Sequence, residues 1–197
     1  MRQRLILVAP PDLVADELAA ALAGGDVAAV VIPVLAARPR MLVEAAQGAG
    51  AAALLQHRFA EGEPPPWPLA FGADGVQVGG GYGARRKAVE TRPEGATVGA
   101  TAATRHEAMT LGEVGADFLW FGRVDALDED GLEVGIWWQA LFEVPAVVAG
   151  PADEASVALM IATRVEFIAV DVFRACGGDA AATVSRINAA LAERVPS

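Results

Sequence analysis

Gly72-Ala73-Asp74-Gly75-Val76-Gln77-Val78-Gly79, running on into Gly80-Gly81-Tyr82-Gly83-Ala84-Arg85-Arg86-Lys87, is the stretch on which the fold turns. A short apolar run stands between a glycine that ends one segment and a glycine-rich entry to the next. The left flank recurs in Gln47-Gly48-Ala49-Gly50-Ala51 and Val114-Gly115-Ala116-Asp117-Phe118. A glycine after a helix supplies the left-handed cap that turns the chain into a following strand. Working outward, Val- and Ile-rich runs predict strands over 4–9, 28–34, 51–55, 75–79, 96–100, 117–122, 146–150 and 166–171. Ala-rich segments predict helices over 12–23, 39–47, 84–90, 104–114, 136–141, 153–163 and 179–193, with Asp12, Thr104, Asp153 and Asp179 as N-caps. The proline-dense 61–68 stretch reads as a loop. Strands apolar on both faces and alternating with helices define a parallel sheet covered by helices. This pattern alone fits a closed barrel and an open doubly wound sheet equally well.

Composition narrows the classes. At 197 residues the chain is short for eight βα units, which usually need about 250, so a barrel here has short loops. The hydrophobic fraction of 54% excludes a disordered chain, and the net charge of −10 gives no field for a phosphate backbone. The N-terminal apolar run is too short for a membrane span and has no signal-peptide pattern, so a cytoplasmic protein is expected. Cys176 is the only cysteine, which excludes an intrachain disulfide. Lys87 is the only lysine. It lies in a polar, glycine-rich setting, where burial would not lower an amine pKa for Schiff-base chemistry.

The order of the segments decides between the two architectures. Gly72-Ala73-Asp74-Gly75-Val76-Gln77-Val78-Gly79 resembles the fourth-strand signature G-A-D-G-V-H-L-G of thiamine phosphate synthases. Thr97-Val98-Gly99-Ala100-Thr101 stands where that family has I-G-x-S. Glu113-Val114-Gly115-Ala116-Asp117-Phe118-Leu119-Trp120-Phe121-Gly122 is similar to its sixth-strand A-G-A-D-Y-x-x-x-G. Val144-Pro145-Ala146-Val147-Val148-Ala149-Gly150 is similar to its I-P-V-V-A-I-G-G. The resemblance runs over about 51–171 and includes the thiazole tautomerase branch. It implies a single α/β domain over 1–197, a (β/α)8 TIM barrel, with Ile6, Val8, Val30, Ile32, Val76, Val98, Val147 and Ile168 in the core.

In that family a thiazole phosphate nitrogen attacks a pyrimidine methylene that carries pyrophosphate. The resemblance implies Mg²⁺ on two aspartates, with basic groups stabilising the leaving pyrophosphate. The family's N-D-R after strand three is Gln56-His57-Arg58 here, and its G-Q-x-D after strand four is Gly79-Gly80-Gly81-Tyr82. Its Q-x-R-x-K at strand two is the apolar Val31-Ile32-Pro33-Val34-Leu35. The G-P-x-x-x-T-x-T-K clamp after strand six becomes Gly122-Arg123-Val124-Asp125-Ala126-Leu127-Asp128-Glu129-Asp130, with reversed charge. The tautomerase histidine position is Ala103. Mg²⁺ is therefore the family's cofactor, but its ligands are not recognisable here.

Candidate residues remain at the strand ends. His57 and Arg58 after strand three, Thr101 at the strand-five serine position and Arg123 after strand six form the candidate catalytic set. His57 also reads as a loop histidine without a catalytic partner. Gly79, Gly80, Gly81, Arg85, Arg86 and Gly150 form the candidate phosphate-binding set, because glycine N–H groups at a helix start approach anions closely. The same stretch also reads as a loop entering a solvated basic helix, and Pro151 removes one N–H beside Gly150. Asp125, Asp128, Glu129 and Asp130 read as a cation site or as a solvated acidic loop, and no metal ligand is assigned. Asp171 reads as a polar site group or a cap, His106 as solvated, and Trp137 and Trp138 as helix packing. Two functions stay open. One is a divergent enzyme of thiamine metabolism acting on a small phosphorylated or heterocyclic substrate. The other is a catalytically silent paralogue that binds a small ligand or a protein. Neither nucleic acid nor membrane is an expected partner, and homo-oligomerisation stays open.

Overall fold

The computed structural model describes residues 2–59, 71–174 and 179–193. Its strands are β1 (Arg4–Val8), β2 (Ala29–Pro33), β3 (Ala52–Phe59), β4 (Gly75–Gly80), β5 (Thr97–Thr101), β6 (Phe118–Gly122), β7 (Ala146–Ala149) and β8 (Phe167–Val170). Each pairs in parallel with the next, and β8 returns to β1, closing a barrel in sequence order. The described helices are α1 (Ala15–Leu22), α2 (Pro39–Gly48), α3 (Tyr82–Glu90), α4 (Arg105–Glu113), α5 (Glu129–Leu141), α6 (Glu154–Ala162) and α7 (Ala180–Glu193). The fold is the expected (β/α)8 TIM barrel. The proline-dense 61–68 stretch and Cys176 lie outside the described residues.

Strand alternation sorts the core into two layers. Ile6, Val8, Ala29, Val31, Leu54, Phe118, Trp120, Val147, Ala149 and Ala169 fill the barrel. Val30, Ile32, Val76, Val98, Val148 and Ile168 pack outward against the helices. All eight expected core residues are buried. Small residues make room for the large ones inside. A Cβ on Gly99 would lie 2.0 Å from the Phe118 ring, so that ring takes the space of the missing side chain.

The repeated glycine segments behave as their sequence predicts. Gly50, Gly72 and Gly115 have φ of 82°, 75° and 96°. The two Gly-Ala-Asp copies share a further device. Ala53 N–H donates to Asp74 Oδ2 at 2.7 Å, and Val98 N–H donates to Asp117 Oδ2 at 2.7 Å. In return the Asp74 and Asp117 N–H groups donate to the carbonyls of Ala53 and Val98. Gln47 Nε2 and Arg92 Nη1 brace the two copies from outside. All of this stands at the strand starts, the end of such barrels associated with stability.

Several boundaries differ from the sequence reading. α1 begins at Ala15 with Val14 as N-cap, and Asp12 lies in a turn closed by Leu13 N–H on the Pro10 carbonyl. β3 runs on to Phe59, so His57 and Arg58 are strand residues paired with Val78 and Gly79. α3 begins at Tyr82 rather than at 84. α5 begins at Glu129, not at 136, because Asp128 Oδ1 accepts the Gly131 N–H at 3.0 Å and caps it. The acidic stretch is therefore mostly a helix start, where the dipole favours carboxylates. Thr104, Asp153 and Asp179 cap α4, α6 and α7 as expected.

Candidate functional site

At the C-terminal mouth of the barrel, inward-facing positions of β3, β4 and β5 turn polar. Gln77 on β4 is 1% exposed. Its Nε2 donates to Thr101 Oγ1 on β5 at 2.8 Å, and its Oε1 accepts from Gln56 Nε2 on β3 at 3.3 Å. Three adjacent strands thus contribute one neutral amide–hydroxyl row, directly above the apolar interior. Burial demands such pairing, because a lone buried amide would lose its water partners without replacement. Trp120, opposite Thr101 in the β5–β6 register, is 5% exposed and adds an apolar wall.

Arg85 meets this row from behind. It is 6% exposed on α3. Its Nη1 donates to the Thr101 carbonyl and to Glu107 Oε2 on α4, and its Nη2 donates to Glu107 Oε1, the last two at 3.2 Å. The Tyr82 ring lies 5.9 Å from its Cζ, and Nε is buried with no hydrogen-bond partner. Arg86, one residue on, is exposed and pairs with Glu90 at 2.8 Å. Lys87 is exposed on the same helix, so its ammonium stays solvated.

The remaining candidates spread around the mouth. Gly79 and Gly80 end β4, with Gly80 at φ 106°, and Gly81 is the N-cap of α3 with no side-chain cap bond. A Cβ on Gly81 or Gly83 would meet nothing within 4 Å. Space therefore lies beside a helix start whose first N–H groups have no partner within the helix. His57 shares its strand parity with Leu55, which packs in the helix-facing layer, so the half-buried His57 belongs to that side. Arg58 occupies β3 in register with Gly79, and its side chain lies outside the described part. Arg123 is exposed beyond β6 and grips Asp125 with two bonds of 2.9 and 2.6 Å. That guanidinium holds the Asp125 carboxyl below its ordinary range. Gly150 N–H donates to the Ala169 carbonyl at 3.1 Å and serves the sheet. Asp171 Oδ1 accepts the N–H groups of Phe173 and Arg174, so it caps the turn after β8. His106 is exposed, and Trp138 is buried with its indole donating to the Val144 carbonyl at 2.8 Å.

The structure thus joins Thr101 to Arg85, with Gly79 to Gly81 leading into the helix that carries Arg85, while His57 lies on the helix-facing side of β3 and Arg123 pairs with Asp125. The sequence reading missed Gln77 and Gln56 as site residues. The signal available was a polar residue inside an otherwise apolar strand run, Val76-Gln77-Val78.

Mg²⁺ needs several oxygen ligands, mostly carboxylates. The two family aspartate positions hold His57 and Tyr82. Asp125 is tied to Arg123, Asp128 caps α5, Asp171 caps a turn, and Glu107 faces Arg85. Among the described residues no group of three or more His, Cys, Asp or Glu is placed to hold a metal. These residues do not fit the family's Mg²⁺ site.

A closed parallel (β/α)8 barrel with a polar row at its strand ends defines a protein of the TIM-barrel class. The TMP-TENI family, described as thiamine monophosphate synthase, matches residues 5–171, and the chain belongs to this family. The thiamine-phosphate synthase of Rhodospirillum centenum (strain ATCC 51521 / SW) is 33% identical over 189 residues, covering 89% of this chain and 88% of that protein. A second thiamine-phosphate synthase, from Erythrobacter litoralis (strain HTCC2594), is 36% identical over 107 residues, half of each chain. Thiamine phosphate pyrophosphorylase from Pyrococcus furiosus superposes with a TM-score of 0.77 at 20% identity, over 96% of both chains, a likeness of fold. No described helix is long and apolar enough to cross a membrane.

Proposed function

We propose that this chain is a thiamine phosphate synthase-like barrel that binds a small phosphorylated or heterocyclic molecule at its mouth, with the family's Mg²⁺-assisted departure of pyrophosphate lost. The reading is carried by His57 and Tyr82 standing where the family has its two aspartates, beside a mouth floored on one side by the neutral Gln56–Gln77–Thr101 row. Amides and a hydroxyl suit the donor and acceptor edge of an uncharged ring. Thr101 Oγ1 already accepts from Gln77, so its own proton is available to a ligand acceptor. The open first turn of α3, next to Gly81 and Gly83, suits the phosphate end.

The silent paralogue is favoured over the divergent enzyme by the state of those charged candidates whose side chains are described, Arg58 not being among them. Arg85, Arg86 and Arg123 are each held by a carboxylate of the chain, and His57 belongs to the helix-facing layer. Losing one well-placed electrostatic donor costs on the order of a hundredfold to a thousandfold in rate. Losing several that act together leaves little turnover.

The test is calorimetric titration with thiamine phosphate, phosphate and pyrophosphate, with and without Mg²⁺, beside a turnover assay on both thiamine precursors. Saturable binding that is insensitive to Mg²⁺, with turnover far below a family synthase assayed in parallel, is the expected result. Robust Mg²⁺-dependent turnover, or growth restored to a thiamine auxotroph lacking the synthase, overturns the proposal.

A further inference from the structure

We infer that Arg85 and Glu107 are positioning residues that set Thr101 for ligand contact, rather than part of the anion site the sequence suggests. The inference rests on the reading of the mouth as a ligand site. Four consecutive residues leave β5 here, and each is tied. The Thr101 carbonyl accepts from Arg85 and the Thr101 hydroxyl from Gln77. Ala102 N–H donates to the Trp120 carbonyl at 2.9 Å. Ala103 N–H donates to Glu107 Oε2 at 2.8 Å. Thr104 Oγ1 accepts the Glu107 N–H. Glu107 thus holds the β5–α4 turn from one side while its carboxylate orients Arg85, which holds the strand end from the other.

Stability alone does not explain the pair. Side-chain exposures of 7% for Arg85 and 19% for Glu107 mean that both charges have lost most of their water, a cost that well-packed apolar residues would avoid. Arg85 Nε is left without a partner, a further cost. What the pair supplies is direction. The guanidinium is planar and gives fixed, divergent donors, so one side chain reaches both the carboxylate and the strand-end carbonyl. With its backbone carbonyl tied to Arg85 and its hydroxyl oxygen accepting from Gln77, Thr101 is held in place and its hydroxyl proton is turned away from the Gln77 amide.

The experiment compares wild type, Arg85→Met, Arg85→Met with Glu107→Leu, Thr101→Val, and Thr101→Val combined with the double replacement. Arg85→Met alone strands a carboxylate and can fail to fold, whereas the double replacement removes both charges and keeps the volume apolar. Two readouts are taken on folded protein: amide exchange of Ala103 with the Thr101 methyl resonance, and affinity for thiamine phosphate. The double replacement is expected to speed Ala103 exchange, shift the Thr101 methyl, and weaken binding about tenfold, the scale of one hydrogen bond to a charged group. In the Thr101→Val background the same replacement is expected to change affinity less than about twofold, because the effect passes through Thr101. Unchanged Ala103 exchange, or affinity losses that add across the two backgrounds, overturns the positioning role. Wild type that fails to bind thiamine phosphate overturns the ligand reading, and with it the claim that Thr101 is set for contact. The exchange arm then still decides whether the pair orders the turn.

Discussion

Gln77 Nε2 donates to Thr101 Oγ1 at 2.8 Å across the ends of β4 and β5, and this bond carries polarity into the barrel mouth. Gln77 is buried beside the apolar barrel interior, so its amide depends on protein partners. Gln77→Met keeps the length of the side chain but leaves Thr101 and Gln56 without their shared partner. We expect a loss of about 1–3 kcal/mol in urea denaturation, and a similar loss for Thr101→Val. The double variant should lose clearly less than the sum, because each single change strands the group that the other removes. Strict additivity would show that the bond is not formed in solution.

The connection from α6 to β8 breaks the glycine rule of its counterparts. Arg164 has φ 58°, a non-glycine residue in the left-handed region, in a connection of the kind where Gly50, Gly72 and Gly115 serve elsewhere. Arg164→Gly is expected to raise stability by about 1 kcal/mol, since the Cβ penalty is of that order. Gly72→Ala is the converse. A Cβ there meets nothing within 4 Å, so its cost of about 1 kcal/mol would be purely conformational. Melting temperatures of the two variants should move in opposite directions.

Gly99 is a steric case, unlike Gly72. Its added Cβ would meet the Phe118 ring at 2.0 Å inside the closed barrel. Gly99→Ala should destabilise by about 1–3 kcal/mol or more, because the ring has nowhere to go. Gly99→Ala with Phe118→Leu should recover part of that loss. If the pair is no more stable than Gly99→Ala alone, the packing account of Gly99 fails.

Acid sensitivity follows from three carboxyls held below their ordinary range. Asp26 is lowered by Arg4, Asp125 by Arg123, and Asp153 by the Ser156 N–H it caps. A folded pKa below the unfolded one gives stability that is complete above the unfolded value, about 4. That stability is lost as pH falls through the folded values. The melting temperature should therefore show no loss from these groups between pH 7 and 5, and should fall below pH 4. Asp153→Asn keeps the cap without the charge. Its melting temperature should approach or pass that of wild type as pH drops below 4, and a constant offset would contradict the role given to Asp153.

The barrel was largely legible in the sequence because closure rests on repeated local chemistry. Gly50, Gly72 and Gly115 are written as glycines because the backbone there has positive φ, and Thr104, Asp153 and Asp179 announce their helices by the N–H groups they cap. The apolar runs gave the strands for the same local reason. Which side of the wall each residue faces was not readable. Ile6 and Val30 look alike in sequence, yet the first fills the barrel and the second meets the helices, because both faces are buried and both demand apolar residues. The site was less legible still. Arg85 reads as an anion ligand or as part of a solvated basic helix, and it meets Glu107, 22 residues away; Asp128 reads as part of a solvated acidic loop or a cation site, and it caps α5. A charge in sequence shows only that a partner is needed. Which partner it meets depends on how α3 and α4 pack side by side, and that is fixed only once the barrel has closed.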